Sequence, residues 1–122
     1  MKANEVRLNN YVIYKNEVYE IDTIAKGFPT LKTGRFGIGV VDWNNIKSVP
    51  LTEKWLINLG AKKCHRNFEE FFIHDRFMLQ WINGHNYWYV TDANFGSYIT
   101  KIEFLHEWQN LFFTLIQKEL TL

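Results

Sequence analysis

The pattern of apolar and polar residues predicts a long amphipathic helix over residues 104–120. At about 100° of rotation per residue, seven apolar positions form a stripe centred on Trp108, and each lies within about 80° of that centre. This is the width of the apolar stripe on a helix that faces a protein core. They are Phe104, Leu105, Trp108, Leu111, Phe112, Leu115 and Ile116. No proline or glycine interrupts the segment. We expect this stripe to hold two β portions of the chain together.

Phe113 is the one aromatic residue on the polar side of this helix. Either another element covers it or it is an isolated surface residue of the common kind. The alternative is a docking surface at helical spacing, made of His106, Asn110, Phe113 and Gln117. Both interpretations stay open at the level of sequence.

Short alternating segments predict several strands in the first 50 residues. Residues 11–24 are typical of two strands with a tight turn at 15–17, and Tyr19 and Ile21 point inward. Residues 25–34 are a loop or a short irregular strand, because they hold two glycines and a proline. Further strands are predicted at 35–43 and 46–50. Such closely spaced strands favour a small SH3-like barrel or, alternatively, a curled open antiparallel sheet.

The second half begins with a short helix over residues 50–60, with Thr52 as N-cap and Gly60 just past the end. Residues 61–67 are polar and predict a connector. A β-meander follows, with strands at 68–74, 77–82, 87–91 and 98–102. Neither face of the middle strands is cleanly polar, so we expect both faces to be covered.

The elements predict an α+β fold with a boundary near residues 49–50. Residues 1–49 form a small β-barrel-like subdomain. Residues 50–122 contribute the short helix, the meander and the C-terminal helix. A chain of 122 residues is long enough for one real core, so we expect the two parts to share it.

Composition narrows the classes of function. Aromatic residues reach 17%, which indicates a ring-rich core or a docking surface. The formal net charge of +1 disfavours nucleic acid as the main partner, which usually demands a basic excess. A single cysteine fits a reducing compartment. The polar N-terminus is unlike a signal peptide and no segment has the length of a membrane span, so we expect a cytoplasmic protein.

The candidate catalytic and metal-binding residues lack a convincing pattern. The histidines and the cysteine do not show the paired spacing of zinc ligands. Cys64 with His74 or His106 could form a nucleophile and base, but the context of a known family is missing. Glu69, Glu70 and Asp75 are more simply solubilising charges. The sequence therefore predicts no catalytic residue, no metal ligand and no cofactor.

The N-terminal strands offer a second kind of interface. Their cations are interleaved with aromatic residues, as in small barrels that bind single-stranded nucleic acid. The residues concerned are Lys15, Lys26, Lys32 and Arg35, with Phe28, Phe36 and Trp43.

Three phrases of the sequence resemble a family of small uncharacterised proteins from phages, prophages and mobile elements of gut bacteria. The phrases RLNNYV, PLTEKWLINLGAKK and HEWQNLFFTLIQKEL occur in the order that the family shows. In the last phrase the coinciding positions are His106, Gln109, Asn110, Leu111, Phe113, Leu115, Glu119 and Leu120. The chain departs at Asn9, where the family often has glycine, and at Trp108, where it has leucine. The resemblance implies a mobile-element origin and no particular activity.

Taken together, the sequence favours a non-enzymatic accessory module that binds a protein. The alternatives are a nucleic-acid-binding module that uses the N-terminal strands, and an enzyme whose site has no recognisable motif. The face of His106, Asn110, Phe113 and Gln117 is the candidate interaction surface.

Overall fold

A computed structural model describes residues 5–25, 27–32 and 40–122 of this protein. It has two antiparallel sheets and two α-helices, which confirms the α+β class. By its internal contacts the chain divides into two compact units. The first comprises residues up to Pro50 together with Phe104–Thr121, and the second comprises Leu51–Glu103. Among the described residues, no helix is long and apolar enough to cross a membrane.

The sheet of the first unit has four strands: β1 (Tyr11–Tyr14), β2 (Glu17–Ala25), β3 (Phe28–Lys32) and β4 (Ile46–Ser48). Their order is β3-β2-β1-β4. The predicted turn between β1 and β2 is confirmed at Lys15 and Asn16, whose φ angles are 49° and 66°. Two successive positive φ angles give the tight turn that matches the twist of a hairpin.

The core of the first unit lies on one side of this sheet. Ile21 on β2 pairs with Leu31 on β3, and both side chains are fully buried, as predicted for Ile21. The remaining members of this core are Val6, Val12, Val41 and Ile46, with Tyr14, Tyr19 and Trp43 packed against them. This cluster therefore packs on the sheet through aliphatic residues, with Tyr14, Tyr19 and Trp43 at its margin.

The described strands form an open sheet, with β3 and β4 as its edges. This is the curled-sheet alternative, and the described residues do not show closure into a barrel. Of the strand predicted over 35–43, residues 35–39 lie outside the described residues. Its end is instead a short 3₁₀-helix, Trp43–Asn45, because Asp42 caps it by accepting a hydrogen bond from the Asn44 amide.

The C-terminal helix α2 spans Leu105–Ile116. It begins where Glu107 accepts a hydrogen bond from the Phe104 amide at 3.0 Å, and it ends at Gln117, whose φ of 64° is left-handed. Trp108 is fully buried and packs edge-on against Phe112. This confirms the centre of the predicted apolar stripe.

One expectation about α2 is wrong. Leu115, placed in the apolar stripe, is 39% exposed because the helix is near its end there. The sequence pattern groups α2 with residues 50–122, and its contacts in the structure are with the first unit, against β1. The Leu105 amide donates a hydrogen bond to the Val49 carbonyl of that unit, at 2.8 Å.

The second unit contains helix α1 (Glu53–Asn58) and a five-stranded meander. The predicted caps of α1 are confirmed, because the Thr52 hydroxyl accepts a hydrogen bond from the Trp55 amide and Gly60 follows the helix at a φ of 112°. The strands are β5 (Lys62–Arg66), β6 (Glu69–His74), β7 (Phe77–Trp81), β8 (Trp88–Asp92) and β9 (Tyr98–Ile102).

Strand β5 replaces the connector that the polar composition predicts for residues 61–67. It pairs with β6 along its whole length and forms one edge of the sheet, where a run of Lys, His and Arg side chains is tolerated because water reaches them. The pattern therefore misses a strand because strand formation at an edge is decided by pairing and not by apolar content.

Helix α1 and the residues beside it contact one face of the meander. The indole Nε1 of Trp88 donates to the Leu51 carbonyl at 2.8 Å, and Lys63 pairs with Glu53 at 2.6 Å. The buried residues of this face are Phe72, Phe77, Leu79, Trp88, Val90 and Ile102. The buried apolar residues of the sheet therefore lie on the face that α1 contacts.

Replacing Trp108 by alanine should cost on the order of 3–5 kcal/mol in the free energy of unfolding, because it leaves a large cavity in a dry core. Urea denaturation followed by circular dichroism measures the loss. The control is Leu115→Ala on the same helix, for which we expect less than about 1 kcal/mol because the side chain is partly solvated already. Equal losses in the two variants would contradict this account of α2.

Candidate functional site

The Asn110 side chain is a junction between α2 and the N-terminal segment. Its carbonyl oxygen accepts hydrogen bonds from Arg7 Nε at 3.0 Å and from Asn10 Nδ2 at 2.8 Å. Its amide group donates to the Glu5 carbonyl at 3.3 Å. An amide is suited to this position because it offers an acceptor and donors on one planar group.

Phe113 is covered by the guanidinium group of Arg7, which lies 4.1 Å from the centre of its ring. The same guanidinium reaches Glu119 with two nitrogens, at 3.0 Å and 3.3 Å. A planar fork can stack on a ring and bind a carboxylate at once, which an ammonium group cannot do. The unexplained aromatic residue of the polar face is thereby accounted for: another element covers it.

Gln109 makes a second set of links on the buried side of the same segment. Its Oε1 atom accepts a hydrogen bond from the Tyr11 amide, and its Nε2 atom donates to the carbonyls of Asn9 and Leu120, all within 3.0 Å. The side chain is fully buried, so these hydrogen bonds replace the ones that the backbone groups make with water in the unfolded chain.

His106 lies inside the first unit, with only 4% of its surface exposed. Its ring stacks on that of Phe104, and its Nδ1 atom makes no hydrogen bond with the described residues. Burial lowers the pKa of His106, although the carboxylates of Glu107 and Glu5 act in the opposite direction. The imidazole is therefore held in its neutral form.

The four residues predicted to form an interaction surface differ in their exposure. His106 is buried, and the N-terminal segment covers Asn110 and Phe113. Gln117 alone is exposed, and it donates to the Thr114 carbonyl at 3.1 Å. The phrase that carries the family resemblance thus has a structural role in this chain, since its residues join the two ends of the first unit.

Cys64 and His74 are not brought together. Cys64 pairs with Phe71 and lies on one face of the meander, whereas His74 pairs with Phe77 on the other. Burial lowers the pKa of His74. Among the described residues, no three His, Cys, Asp or Glu side chains are placed to hold a metal ion.

The candidate acids are also dispersed. Glu69 and Glu70 are neighbours on a strand and point to opposite faces. Glu70 lies 3.6 Å from Lys63, and Gln80 donates to Glu69 at 3.5 Å. Asp75 lies in the next turn at a φ of 54°.

The N-terminal cations predicted to contact nucleic acid are only partly described. Lys26, Arg35 and Phe36 lie outside the described residues. Lys15 caps the ring of Tyr14 at 5.4 Å, and the indole of Trp43 donates to the Gly27 carbonyl. Lys15 and Trp43 therefore contact residues of the same unit, while Lys32 and Phe28 are exposed.

The face of the meander opposite α1 carries a continuous set of half-buried and exposed rings and aliphatic chains. Directly opposed residues in antiparallel strands share a face, so Ile73, Met78 and Thr91 align with Tyr98 across β6, β7, β8 and β9. We call the tyrosine face the group Phe71, Ile73, Met78, Tyr87, Tyr89 and Tyr98. The sequence predicted both faces to be covered, whereas on this face none of these six side chains is buried.

The tyrosine rings pack edge to face in a row. Tyr87 and Tyr89 lie 5.4 Å apart at 88°, and Tyr89 and Tyr98 lie 5.8 Å apart at 66°. Lys101 lies 4.7 Å from the centre of the Tyr87 ring. A side-chain hydrogen bond with Tyr87 raises the pKa of Tyr89, so its hydroxyl remains protonated at neutral pH. The row is therefore an ordered, apolar ridge with hydroxyl groups along it.

Protein-family models, curated proteins and solved structures give no match to this chain. The function of the candidate site is therefore inferred from the chemistry of its own residues.

The sequence pattern does not predict the tyrosine face, although tyrosines alternate with other residues around the start of strand β8. Tyr87 and Tyr89 alternate with Trp88 and Val90 along the chain, but a strand pattern does not say which face a helix covers. The links from Arg7 to Asn110 and Glu119 span 103 and 112 residues, and no local pattern can predict them.

Asn110→Ala should lower the free energy of unfolding by about 1–3 kcal/mol, because it leaves the Arg7 and Asn10 donors without their acceptor. Chemical denaturation provides the measurement. The control is Thr114→Ala on the same face, where an exposed hydroxyl bonds only to its own helix and the change should be within about 0.5 kcal/mol. A loss at Asn110 no larger than that at Thr114 would contradict the role of this junction.

The protein should become less stable as the pH falls from 7 to 5. The unfolded chain binds a proton at His106 near its ordinary pKa, whereas burial lowers the pKa of His106 in the folded chain, so folding opposes protonation as the pH falls through the ordinary pKa. One such group changes the free energy of unfolding by at most about 1.4 kcal/mol per pH unit. His106→Leu should reduce the slope measured by denaturation at several pH values. The exposed His65→Asn serves as control, and an equal reduction there would refute the assignment.

Proposed function

We propose that this chain is a non-enzymatic protein-binding module that acts through the tyrosine face. The observation that carries the proposal is the row of half-buried and exposed tyrosines, flanked by Phe71, Ile73 and Met78, on a rigid sheet. Protein interfaces are enriched in tyrosine and methionine relative to the rest of the surface. Rings already ordered by their neighbours lose little conformational entropy when a partner binds.

The geometry of the rings favours a protein over a single-stranded nucleic acid. Bases stack on exposed flat ring faces, whereas the Tyr87 and Tyr89 rings are nearly perpendicular and Lys101 occupies a face of Tyr87. The formal net charge of +1 offers little general attraction for phosphates. A ridge of ring edges, hydroxyls and aliphatic chains instead suits a complementary protein surface.

The dispersed polar groups support a non-enzymatic function. Catalysis by side chains requires a nucleophile or acid within hydrogen-bond reach of its partner. Cys64 and His74 lie on opposite faces of the sheet, and so do Glu69 and Glu70. Neither of these two pairs therefore shares a face of the sheet.

The proposal includes the setting of the protein. The resemblance of RLNNYV and HEWQNLFFTLIQKEL to phage and prophage proteins supports an accessory role in a mobile element. A single cysteine, half-buried and without a disulfide, supports a site of action in the bacterial cytoplasm.

The double variant Tyr89→Ser/Tyr98→Ser should keep the fold and lose the partner. Tyr98 is 59% exposed, so its removal leaves little cavity. We expect recovery of the specific partner to fall by about tenfold or more, since aromatic residues carry much of the binding energy of an interface. The measurement is affinity purification from the host bacterium with quantitative mass spectrometry, together with the melting temperature of each variant.

The control is the double variant Val18→Ser/Ile24→Ser, which removes two exposed apolar residues of the first unit. The same proteins recovered with the wild type and with both variants would refute the proposal. Recovery that disappears after nuclease treatment, together with salt-dependent binding of fluorescent oligonucleotides, would indicate nucleic acid as the partner instead.

A further inference from the structure

The turn between β5 and β6 has an unusual residue at its second position. Asn67 and Phe68 adopt φ angles of 48° and 70°, so both central residues of this two-residue hairpin turn are left-handed. Asparagine tolerates the first position, and glycine is the residue that such turns favour at the second. Phe68 is the one aromatic residue at positive φ among residues 5–25, 27–32 and 40–122.

Phe68 receives no compensation from packing. Its relative exposure is 109%, the highest among the exposed large apolar residues of the described chain. A bulky side chain at positive φ strains the backbone, and a fully solvated ring gains nothing from burial. Strain that persists without a structural benefit is characteristic of functional sites.

We propose that Phe68 is the anchor of the interface: it inserts into an apolar pocket on the protein that binds the tyrosine face. This inference rests on the proposed function. Exposed aromatic residues that fill a pocket on the partner are the usual dominant contributors to binding. A two-residue turn at the end of two paired strands presents the ring on a rigid support, so little order has to be gained on binding.

The position of Phe68 is continuous with the tyrosine face. In the meander, the β5–β6 turn lies at the same end of the sheet as the loop from 82 to 87, which carries Tyr87. Glu69 follows Phe68 directly and is in contact with Gln80, the residue opposite Tyr89. A partner that covers the tyrosines can therefore reach the turn without a second, separate surface.

The charges beside Phe68 indicate the chemistry of the partner. Two carboxylates, Glu69 and Glu70, follow the ring, and one guanidinium, Arg66, precedes the turn. A wedge that enters a nucleic acid or an anionic membrane is normally flanked by a basic excess. Glu69 is exposed, so we expect lysine or arginine side chains at the rim of the apolar pocket.

Phe68→Gly separates this role from a structural one, because glycine relieves the backbone and removes the ring. We expect the melting temperature to rise by roughly 2–4 °C and recovery of the partner to fall by about tenfold or more. The matched control is Phe95→Gly. Phe95 is also an exposed ring in a hairpin turn, at 84%, but its φ is not left-handed, so glycine there should not stabilise the fold or reduce binding.

The outcomes distinguish this inference from the proposed function. A fall in the melting temperature of Phe68→Gly would show that the ring supports the fold, and would overturn the inference. A partner lost by Tyr89→Ser/Tyr98→Ser but retained by Phe68→Gly would overturn the inference and leave the proposed function intact. A partner retained by both variants would refute both.

Two defined probes test the other possible ligands of the ring. The wild type and Phe68→Gly are sedimented with vesicles of phosphatidylglycerol and phosphatidylcholine, and titrated into fluorescent single- and double-stranded oligonucleotides. We expect no difference between the two proteins with either probe. Vesicle or oligonucleotide binding that depends on Phe68 would overturn the assignment to a protein pocket.

Discussion

The first unit depends on one guanidinium group. Arg7 binds Asn110 and Glu119 and covers the ring of Phe113, so a single side chain holds the N-terminal segment against both the middle and the end of the C-terminal portion. Without it, Asn110 would keep its bonds to Asn10 and Glu5 but lose the link to Arg7, and the ring of Phe113 would lose its cover. Joining segments that lie 103 residues apart costs conformational entropy. The bonds of Arg7 offset this cost because several of them form together at one place.

The second unit follows a different principle. Its meander joins each strand to the next by a short turn, so its pairing is local and its register follows from the turns. One face buries its apolar residues, while the other leaves Tyr89 half-buried and Tyr98 exposed. The contrast between the two faces of one sheet separates the residues that maintain the fold from those available to a partner.

Phe68 and Phe113 show why exposure must be assessed in three dimensions. Both are aromatic residues whose exposure the local sequence pattern leaves open. Phe113 proved to be covered, by an arginine that lies far away in sequence. Phe68 is fully solvated and strained, although it lies in a segment that sequence analysis had assigned to the start of a strand. Local pattern cannot separate the two cases, because the difference lies in what approaches the ring.

Periodicity and capping were enough to predict most of the elements. The amphipathic stripe around Trp108, the Thr52 cap of α1 and the alternation of β7 and β8 are local properties, written in the spacing of neighbouring residues. Tertiary structure decided three further points: that β5 is a strand, that α2 belongs with the first sheet, and that the HEWQNLFF face is occupied by Arg7 and its neighbours. The last two depend on contacts between distant segments, for which the sequence carries no local signal, whereas β5 depends on pairing with β6 across a two-residue turn, which its polar composition does not indicate.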